Sequence, residues 1–294
     1  MKVSIVIPNW NGEEKLKKHL PGVLEIAKAN GVHEVIVSDD ASTDGSVQLL
    51  KSQFPEVVLV ERKKNGGFSS NVNTGVKKAS GDLVFLLNTD AGLEKDVFKY
   101  ALPHFENPNV FSVGCNVGGS FARGEFKNGF FWHSQGEGAQ THRTLWASGG
   151  SGIFRKSIWE ELGGLDELFN PFYEEDVDLG YRATKRGYIN IWEPKAKVEH
   201  YKEPGVISLN FAKSKVKKTA ERNQLIFIWK NITSENLFKE HKKTLVKMLI
   251  QHPKYWVTFL AALSKLLEIR KKREVEKKES KLSDEEVFSL FRAD

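Results

Sequence analysis

The densest chemistry in this 294-residue chain is Phe172-Tyr173-Glu174-Glu175-Asp176-Val177-Asp178-Leu179-Gly180-Tyr181-Arg182, which sets four carboxylates in five positions. Carboxylates this close repel one another, and the repulsion raises the pKa of some of them. A positioned carboxylate of that kind can take the proton of an attacking hydroxyl. The competing structural role is an acidic helix start that complements the helix dipole, worth only ~0.3–1 kcal/mol per charge. A second candidate is Asp90. It follows Leu83-Val84-Phe85-Leu86-Leu87, an unbroken apolar run of strand length, and then Asn88-Thr89. Such a run fits a strand buried on both faces of a parallel sheet. A carboxylate just past its carboxyl end lies where open α/β sheets bind ligands. There Asp90 could hold a hard divalent cation against a diphosphate, while the same Asn, Asp and Gly residues also suit a plain turn. A third group, Asp39-Asp40, could receive the N–H of a pyrimidine base or a ribose hydroxyl. Helix capping by Ser42 or Asp44 is its structural alternative.

The elements that must position these groups are legible from periodicity. Val3-Ser4-Ile5-Val6-Ile7 reads as a strand that Pro8 stops. Residues 13–30 carry Leu16, Leu20, Val23, Leu24 and Ala27 at helical spacing, with a break or kink expected at Pro21. A second strand over residues 34–37 runs into Ser38-Asp39-Asp40. A helix over 46–54, a strand over 57–60, a helix over about 69–79 and the strand 83–87 complete a β-α-β-α-β-α-β rhythm, which implies a parallel sheet. Further on, residues 97–105 read as a helix and 110–114 as a strand. Residues 116–144, rich in Gly, Phe and polar side chains, read as strands and loops near an acceptor. His133 and His142 lie there and read as surface or hydrogen-bonded side chains, with a titrating or ligand role as the alternative. Ser157 and Glu160 have the spacing of a capping box for a helix ending at Gly163-Gly164. Asp178 and Arg182 are expected to anchor the acidic helix rather than to react.

Composition bounds the class. A hydrophobic fraction of 40% and a charged fraction of 28% are those of a soluble globular protein. The single cysteine, Cys115, excludes an internal disulfide and suits a reducing cytoplasm. MKVSIVIP enters a strand with no secretory signal pattern, and no apolar run approaches the roughly 20 residues that cross a bilayer. The net charge of +6 is unevenly spread: residues 1–212 carry −3, residues 213–278 carry +12 and residues 279–294 carry −3. That shift places a boundary near residues 203–215, between a catalytic domain over 1–212 and a basic helical appendage over 213–294. Within the appendage Trp256, Phe259, Leu260, Leu263, Leu266 and Leu267 fit one helical face, with Lys265 and residues 270–273 nearby. This pattern suits an interfacial helix on anionic lipid, or else a helical hairpin packed on the catalytic domain or on another subunit, including a homodimer. Nucleic acid is a poor partner, because the acidic core has no matching basic groove.

PNWNG, SDDASTDGS, NGGFSSNVNTG and LVFLLNTDA, in this order, resemble the amino-terminal half of family 2 glycosyltransferases with the GT-A fold, and within them the bacterial rhamnosyltransferase-like branch. The resemblance covers about the first two-thirds of the chain. It implies a mixed, mostly parallel α/β sheet flanked by helices, with a nucleotide-diphosphosugar donor (a UDP- or dTDP-sugar) over residues 1–92 and the acceptor over 93–212. By the family pattern Asp39 reads the pyrimidine and Pro8 and Asn9 border the nucleoside. Asp40, Gly67, Phe68, Asn71 and Asn88 join the donor side. Asp90, with His200, holds Mn²⁺ or Mg²⁺. Asn88 stands where many relatives have the first acid of Asp-x-Asp, which removes one charge from the metal's surroundings. Residues 146–155 resemble the family's glycine-rich loop, so Trp146, Gly149, Gly150 and Glu174 fall on the acceptor side. The Glu-Asp motif matches Glu175-Asp176, with Asp176 as the base of an inverting transfer to a saccharide or lipid-linked saccharide in cell-surface polysaccharide synthesis. Arg222-Asn223 resembles a pair on a helix that returns towards the site. The implied location is cytoplasmic, peripheral on the inner face of the plasma membrane. A dinucleotide-binding domain is a rival that lacks its G-x-G-x-x-G. A sugar-nucleotide nucleotidyltransferase would need a basic glycine-rich loop after strand one, where PNWNG has no Lys or Arg. A non-catalytic saccharide-binding assembly protein is the third reading.

Overall fold

The computed structural model describes residues 1–201 and 205–291; the boundary expected near residues 203–215 therefore begins, at 203–204, outside the described residues. In chain order the elements are β1 (Val3–Asn9), α1 (Glu13–Ala29), β2 (Glu34–Asp39), α2 (Ser46–Gln53), β3 (Val58–Glu61), α3 (Phe68–Lys78), β4 (Leu83–Leu87), β5 (Ala91–Leu93) and α4 (Val97–Ala101). Then come β6 (Val110–Asn116), β7 (Ser120–Lys127), β8 (Phe130–Glu137), β9 (His142–Arg143), β10 (Ser151–Arg155), α5 (Lys156–Glu161), α6 (Glu175–Lys185) and β11 (Ile189–His200). The chain closes on α7 (Val206–Asn210), α8 (Lys213–Asn231), α9 (Glu235–Gln251), α10 (Trp256–Leu263), α11 (Leu266–Glu279) and α12 (Asp284–Ser289).

The main sheet runs β3-β2-β1-β4-β10-β6-β11-β5, and β9 pairs β11. The four strands β1 to β4 are mutually parallel, β10 enters antiparallel between β4 and β6, and β11 is parallel to β6. Every β4 side chain is fully buried, because successive residues point to opposite faces and both faces are covered. Leu83, Phe85 and Leu87 join Ile5, Ile7, Leu16, Leu20 and Phe98 on the side of α1, α2 and α4. Val84 and Leu86 join Val6, Val72, Trp159 and Leu179 on the side of α3, α5 and α6. Each such apolar side chain contributes about 1.5–3 kcal/mol through burial.

Four local expectations give way. Pro8 does not stop β1, which stays paired with β2 through Asn9, although its pairing with β4 ends at Val6. A strand edge released from one neighbour tolerates the missing N–H. Pro21 does not break α1, which is assigned without interruption and carries the ring on its exposed face. Ser157 caps nothing: α5 begins at Lys156, and Glu160 instead pairs with Lys156 at 2.6 Å. The expected helix over 97–105 is α4 followed by a 3-10 turn, Leu102–Glu106.

A third core joins the hairpin β7–β8 and α6 to the helices after residue 213. Phe131, Leu145, Phe169 and Tyr181 pack with Leu225, Phe227, Ile228 and Phe288. Its ionic counterpart is buried. Lys230 of α8 donates to Asp166 at 2.6 Å and to both oxygens of Asp178 at 2.7 and 2.9 Å. Arg182 meets Asp178 at 2.8 Å and also donates to the carbonyls of Leu162 and Gly164. Asp178 and Arg182 anchor α6, as expected. Lys185 reaches the fully buried Asp284, and Arg186 reaches Glu276. The single apolar face expected over Trp256 to Leu267 is split between α10 and α11, with Phe259 and Leu266 turned inward against this core.

Removing one partner of a buried ion pair leaves the other charge desolvated, typically at ~3–5 kcal/mol. Lys230→Met should therefore lower unfolding stability by about that amount in urea titration. Lys277→Met, at an exposed pair on α11, should leave the midpoint in place.

Candidate active site

The carboxyl ends of β1, β2 and β4 bring Asn9, Asp39 and the Asn88–Asp90 turn to one edge of the sheet. Asn9 and Asp39 sit opposite each other in register. The Asp39 carboxylate accepts from Asn9 Nδ2 at 2.8 Å and from the Ser42 N–H and hydroxyl at 2.9 and 2.6 Å. Only one of these bonds falls on Oδ1, and a carboxylate oxygen can accept a second. Asn9 Oδ1 is buried with no hydrogen-bond partner among the described residues, an acceptor that could take a ligand's donor. Pro8, one residue earlier, lies in β1 beside Ser38.

The neighbouring residues Asp40, Gly67, Phe68, Asn71 and Asn88 are tied into this edge by the chain's own contacts. Asp40 is spent on the loop before α3: it accepts from Arg62 at 2.8 Å and from the N–H groups of Gly66 and Gly67. Gly67 has φ +87°, and a Cβ there would meet the Asn170 side chain at 2.9 Å, so only glycine lets the loop dock. Asn71 donates to the carbonyls of Asn9 and Ser38 and accepts from the Ser38 hydroxyl, a buried strut from α3 to two strands. Phe68 reaches across to Gly149. Asn88 accepts no side chain at Gly150, where a Cβ would lie 2.3 Å from Asn88 Nδ2; its backbone N–H bonds the Gly150 carbonyl at 3.0 Å. The glycine-rich loop therefore closes directly on the strand mouth.

Asp90 is buried and doubly engaged. Lys15 of α1 donates to Oδ2 at 2.6 Å, and His200 Nε2 faces Oδ1 at 3.5 Å. The His200 imidazole is partly exposed at the end of β11. One Asp90 oxygen and the His200 imidazole nitrogen are two side-chain atoms that could hold a divalent cation, with the Lys15 ammonium already on the other Asp90 oxygen. Among the described residues no three His, Cys, Asp or Glu side chains cluster for a metal, so most of an ion's oxygen ligands would have to come from a diphosphate and water. Lys15 was not foreseen. Its only signal is a lysine four residues before His19 at the edge of the buried stripe of α1.

Across the Gly149 loop stands the acidic turn. Tyr173 and Glu174 both have φ +75°, a left-handed conformation costly for non-glycine residues. Asn223 of α8 holds it through the carbonyls of Phe169, Phe172 and Tyr173 at 2.7–2.9 Å, and Arg222 donates to the Asn170 carbonyl at 2.6 Å. Arg222-Asn223 thus returns to the site. Asp176 accepts weakly from the Gly149 N–H at 3.4 Å and from the Val177 N–H at 2.8 Å. Glu174 Oε2 and Glu175 Oε2 are buried and have no partner among the described residues. Burial, followed by the charge of Asp176, pushes Glu174 up to about 8 and Glu175 well above the ordinary carboxylate range. Burial also raises Asp176, against the Gly149 and Val177 N–H groups and the nearby His133, which lower it. Asp178 differs: burial would raise it, but Arg182 and Lys230 bring it down. His133, on β8, packs edge-on to Trp146 and faces the acids, whereas His142 stacks on Phe121 away from them. An open hollow of about 460 Å³ beside Met1, Asn30 and Phe98 lies at the opposite end of β1.

The profile described as "Glycosyl transferase family 2" matches residues 4–163. Glycosyltransferase GlyA of Streptococcus pneumoniae serotype 4 is 27% identical over 138 residues, 46% of this chain and 19% of that protein. The N-acetylglucosaminyl-diphospho-decaprenol L-rhamnosyltransferase of Mycobacterium tuberculosis is 26% identical over 205 residues, 57% of this chain and 66% of that protein. This chain thus spans less than two-thirds of the length of these curated relatives. A crystal structure of GalNAc-T7 with UDP, GalNAc and Mn²⁺ superposes with a TM-score of 0.66 at 14% identity, covering 88% of this chain and 57% of that one. The sheet order and flanking helices are those of the GT-A fold. With the family profile spanning more than half of its length and all four amino-terminal motifs gathered at one sheet edge, the chain belongs to glycosyl transferase family 2.

Proposed function

We propose that this chain is an inverting glycosyltransferase that moves a sugar from a UDP- or dTDP-sugar to a saccharide or lipid-linked saccharide in cell-surface polysaccharide synthesis. One observation carries the reading: the strand mouths of Asn9, Asp39 and Asp90 meet the half-buried Asp176 across Gly149 and Gly150. A nucleoside against Asn9 and Asp39 directs its diphosphate towards Asp90. The anomeric carbon then lies between the diphosphate and the acids. Asp176 takes the acceptor hydroxyl's proton as that oxygen attacks, and the bond to the diphosphate breaks. A carboxylate raised by burial is a stronger base than a free one. Glu174 and Glu175, which the raised pKa values keep protonated, offer O–H donors to the acceptor. Asp90 and His200 would hold the divalent cation, whose chemistry is to neutralise the departing diphosphate. The exposed Trp256, Val257, Leu260 and Leu267, with Lys254, Lys265 and Arg270 in the same stretch, support contact with an anionic membrane surface.

Asp176→Asn keeps size and shape but cannot accept the proton. UDP binding should survive in calorimetry while transfer falls ~10²–10⁴-fold, and product NMR should show inversion at the anomeric carbon. A fully active variant would refute the assignment.

Asp90→Ala should abolish the gain in UDP affinity that Mn²⁺ gives the parent. If the gain persists, Asp90 is not the metal ligand.

Glu174 binds its proton more tightly folded than unfolded. Its contribution is complete below about pH 4.5 and is lost as pH rises towards about 8. The melting temperature of Glu174→Gln should therefore fall less than the parent's over that window.

A further inference from the structure

Between the first half of α8 and α10 runs an open groove of about 360 Å³. Lys215, Lys218 and Arg222, one face of α8, line one wall, and Val257 and Ala261 of α10 line the other. None of these three cations meets a carboxylate among the described contacts. The Lys215 ammonium lies over the Phe211 ring, 4.7 Å from its centroid. Arg222 donates to the Asn170 carbonyl and to Asn223 Oδ1, and burial weighs against its charged form. The acid on this wall, Glu221, is taken up by Lys217 at 3.8 Å and Thr258 at 3.4 Å. Uncompensated cations on one side and an apolar wall on the other call for an amphiphile with an anionic head. The apolar wall continues outward into Trp256 and Leu260, both about half exposed. The inner end has a fixed relation to the acids, because Arg222 and Asn223 together hold the turn that presents Glu174.

We infer that this groove binds the phosphate or diphosphate of a lipid-linked acceptor, with Lys215, Lys218 and Arg222 on the anion and Val257 and Ala261 along the start of the lipid chain. This rests on the sugar-transfer reading and narrows its acceptor to the lipid-linked class. The saccharide hangs from the phosphate and reaches Glu174 and Asp176, while the lipid leaves over α10. The donor diphosphate belongs to the separate Asp90 edge, so the two anions do not compete.

Farnesyl diphosphate is the probe, titrated into the full chain with and without saturating UDP, against inorganic pyrophosphate and phosphatidylglycerol vesicles. Farnesyl diphosphate should bind at least about tenfold more tightly than pyrophosphate, and UDP should not displace it. Replacing two surface cations at an anion site should cost about tenfold or more. Lys215→Gln with Lys218→Gln should therefore weaken farnesyl diphosphate by that factor and leave UDP affinity unchanged. Val257→Ser should weaken farnesyl diphosphate and not pyrophosphate. The inference fails if the lysine pair changes nothing, if UDP competes, or if the lysines matter for vesicles alone. Loss of UDP binding in the parent chain would instead sink the sugar-transfer reading while the lysine dependence could still stand.

Discussion

Lys230 stands between two buried carboxylates, and the arrangement of the rest depends on it. Asp166 precedes the acidic turn and Asp178 follows it, so the lysine fastens both sides of the segment that carries Asp176. Two charges removed from water need a partner with good geometry or they destabilise the fold. Here the partner comes from α8, whose same face, two turns earlier, carries Asn223 to the carbonyls of the strained turn. One helix therefore neutralises the anchor of α6 and holds the left-handed residues before it. That is why a run of acids can start a helix without the whole segment being expelled into solvent.

The opposite half is built on another constraint, the need to end buried strands without orphaned polar groups. Asn71, Asp39 and Asp40 do most of this at the ends of β1 and β2. Among the described residues seven buried side-chain atoms lack a partner, and three of them flank the Gly149 loop: Asn9 Oδ1 on one side, and Glu174 Oε2 and Glu175 Oε2 on the other. Bare polar oxygens gathered around one loop are positions where a ligand's polar groups could be met.

Much of this was legible in the sequence, for identifiable reasons. Leu83 to Leu87 announces a doubly covered strand, because no polar residue interrupts it, and the four amino-terminal motifs each end a strand. The acidic run was legible because carboxylates are rare at such density, and Arg222-Asn223 only through the family resemblance. Lys15, Lys230 and Lys185 were not. Lys15 lies among other lysines in EEKLKK, Lys185 beside Arg186 and Lys230 after the apolar run LIFIW, and nothing local in any of them marks a buried charge. Their partners lie 46 to 99 residues away in sequence, a separation that no periodicity encodes. The turn ending α10 at Ser264 escaped for a related reason, since an apolar count continues smoothly across it. The hairpin β7–β8 stayed blurred because glycines weaken its alternation.

Because α8 to α12 share both a core and buried charges with α6, the carboxyl-terminal third is no interchangeable module. A chimera that grafts these helices onto a related amino-terminal half would import Lys230 and Asp284 without the residues they answer to. A substitution at Lys230 or Asp284 would therefore need a matching change on α6 or in the segment before it to keep the buried charges paired.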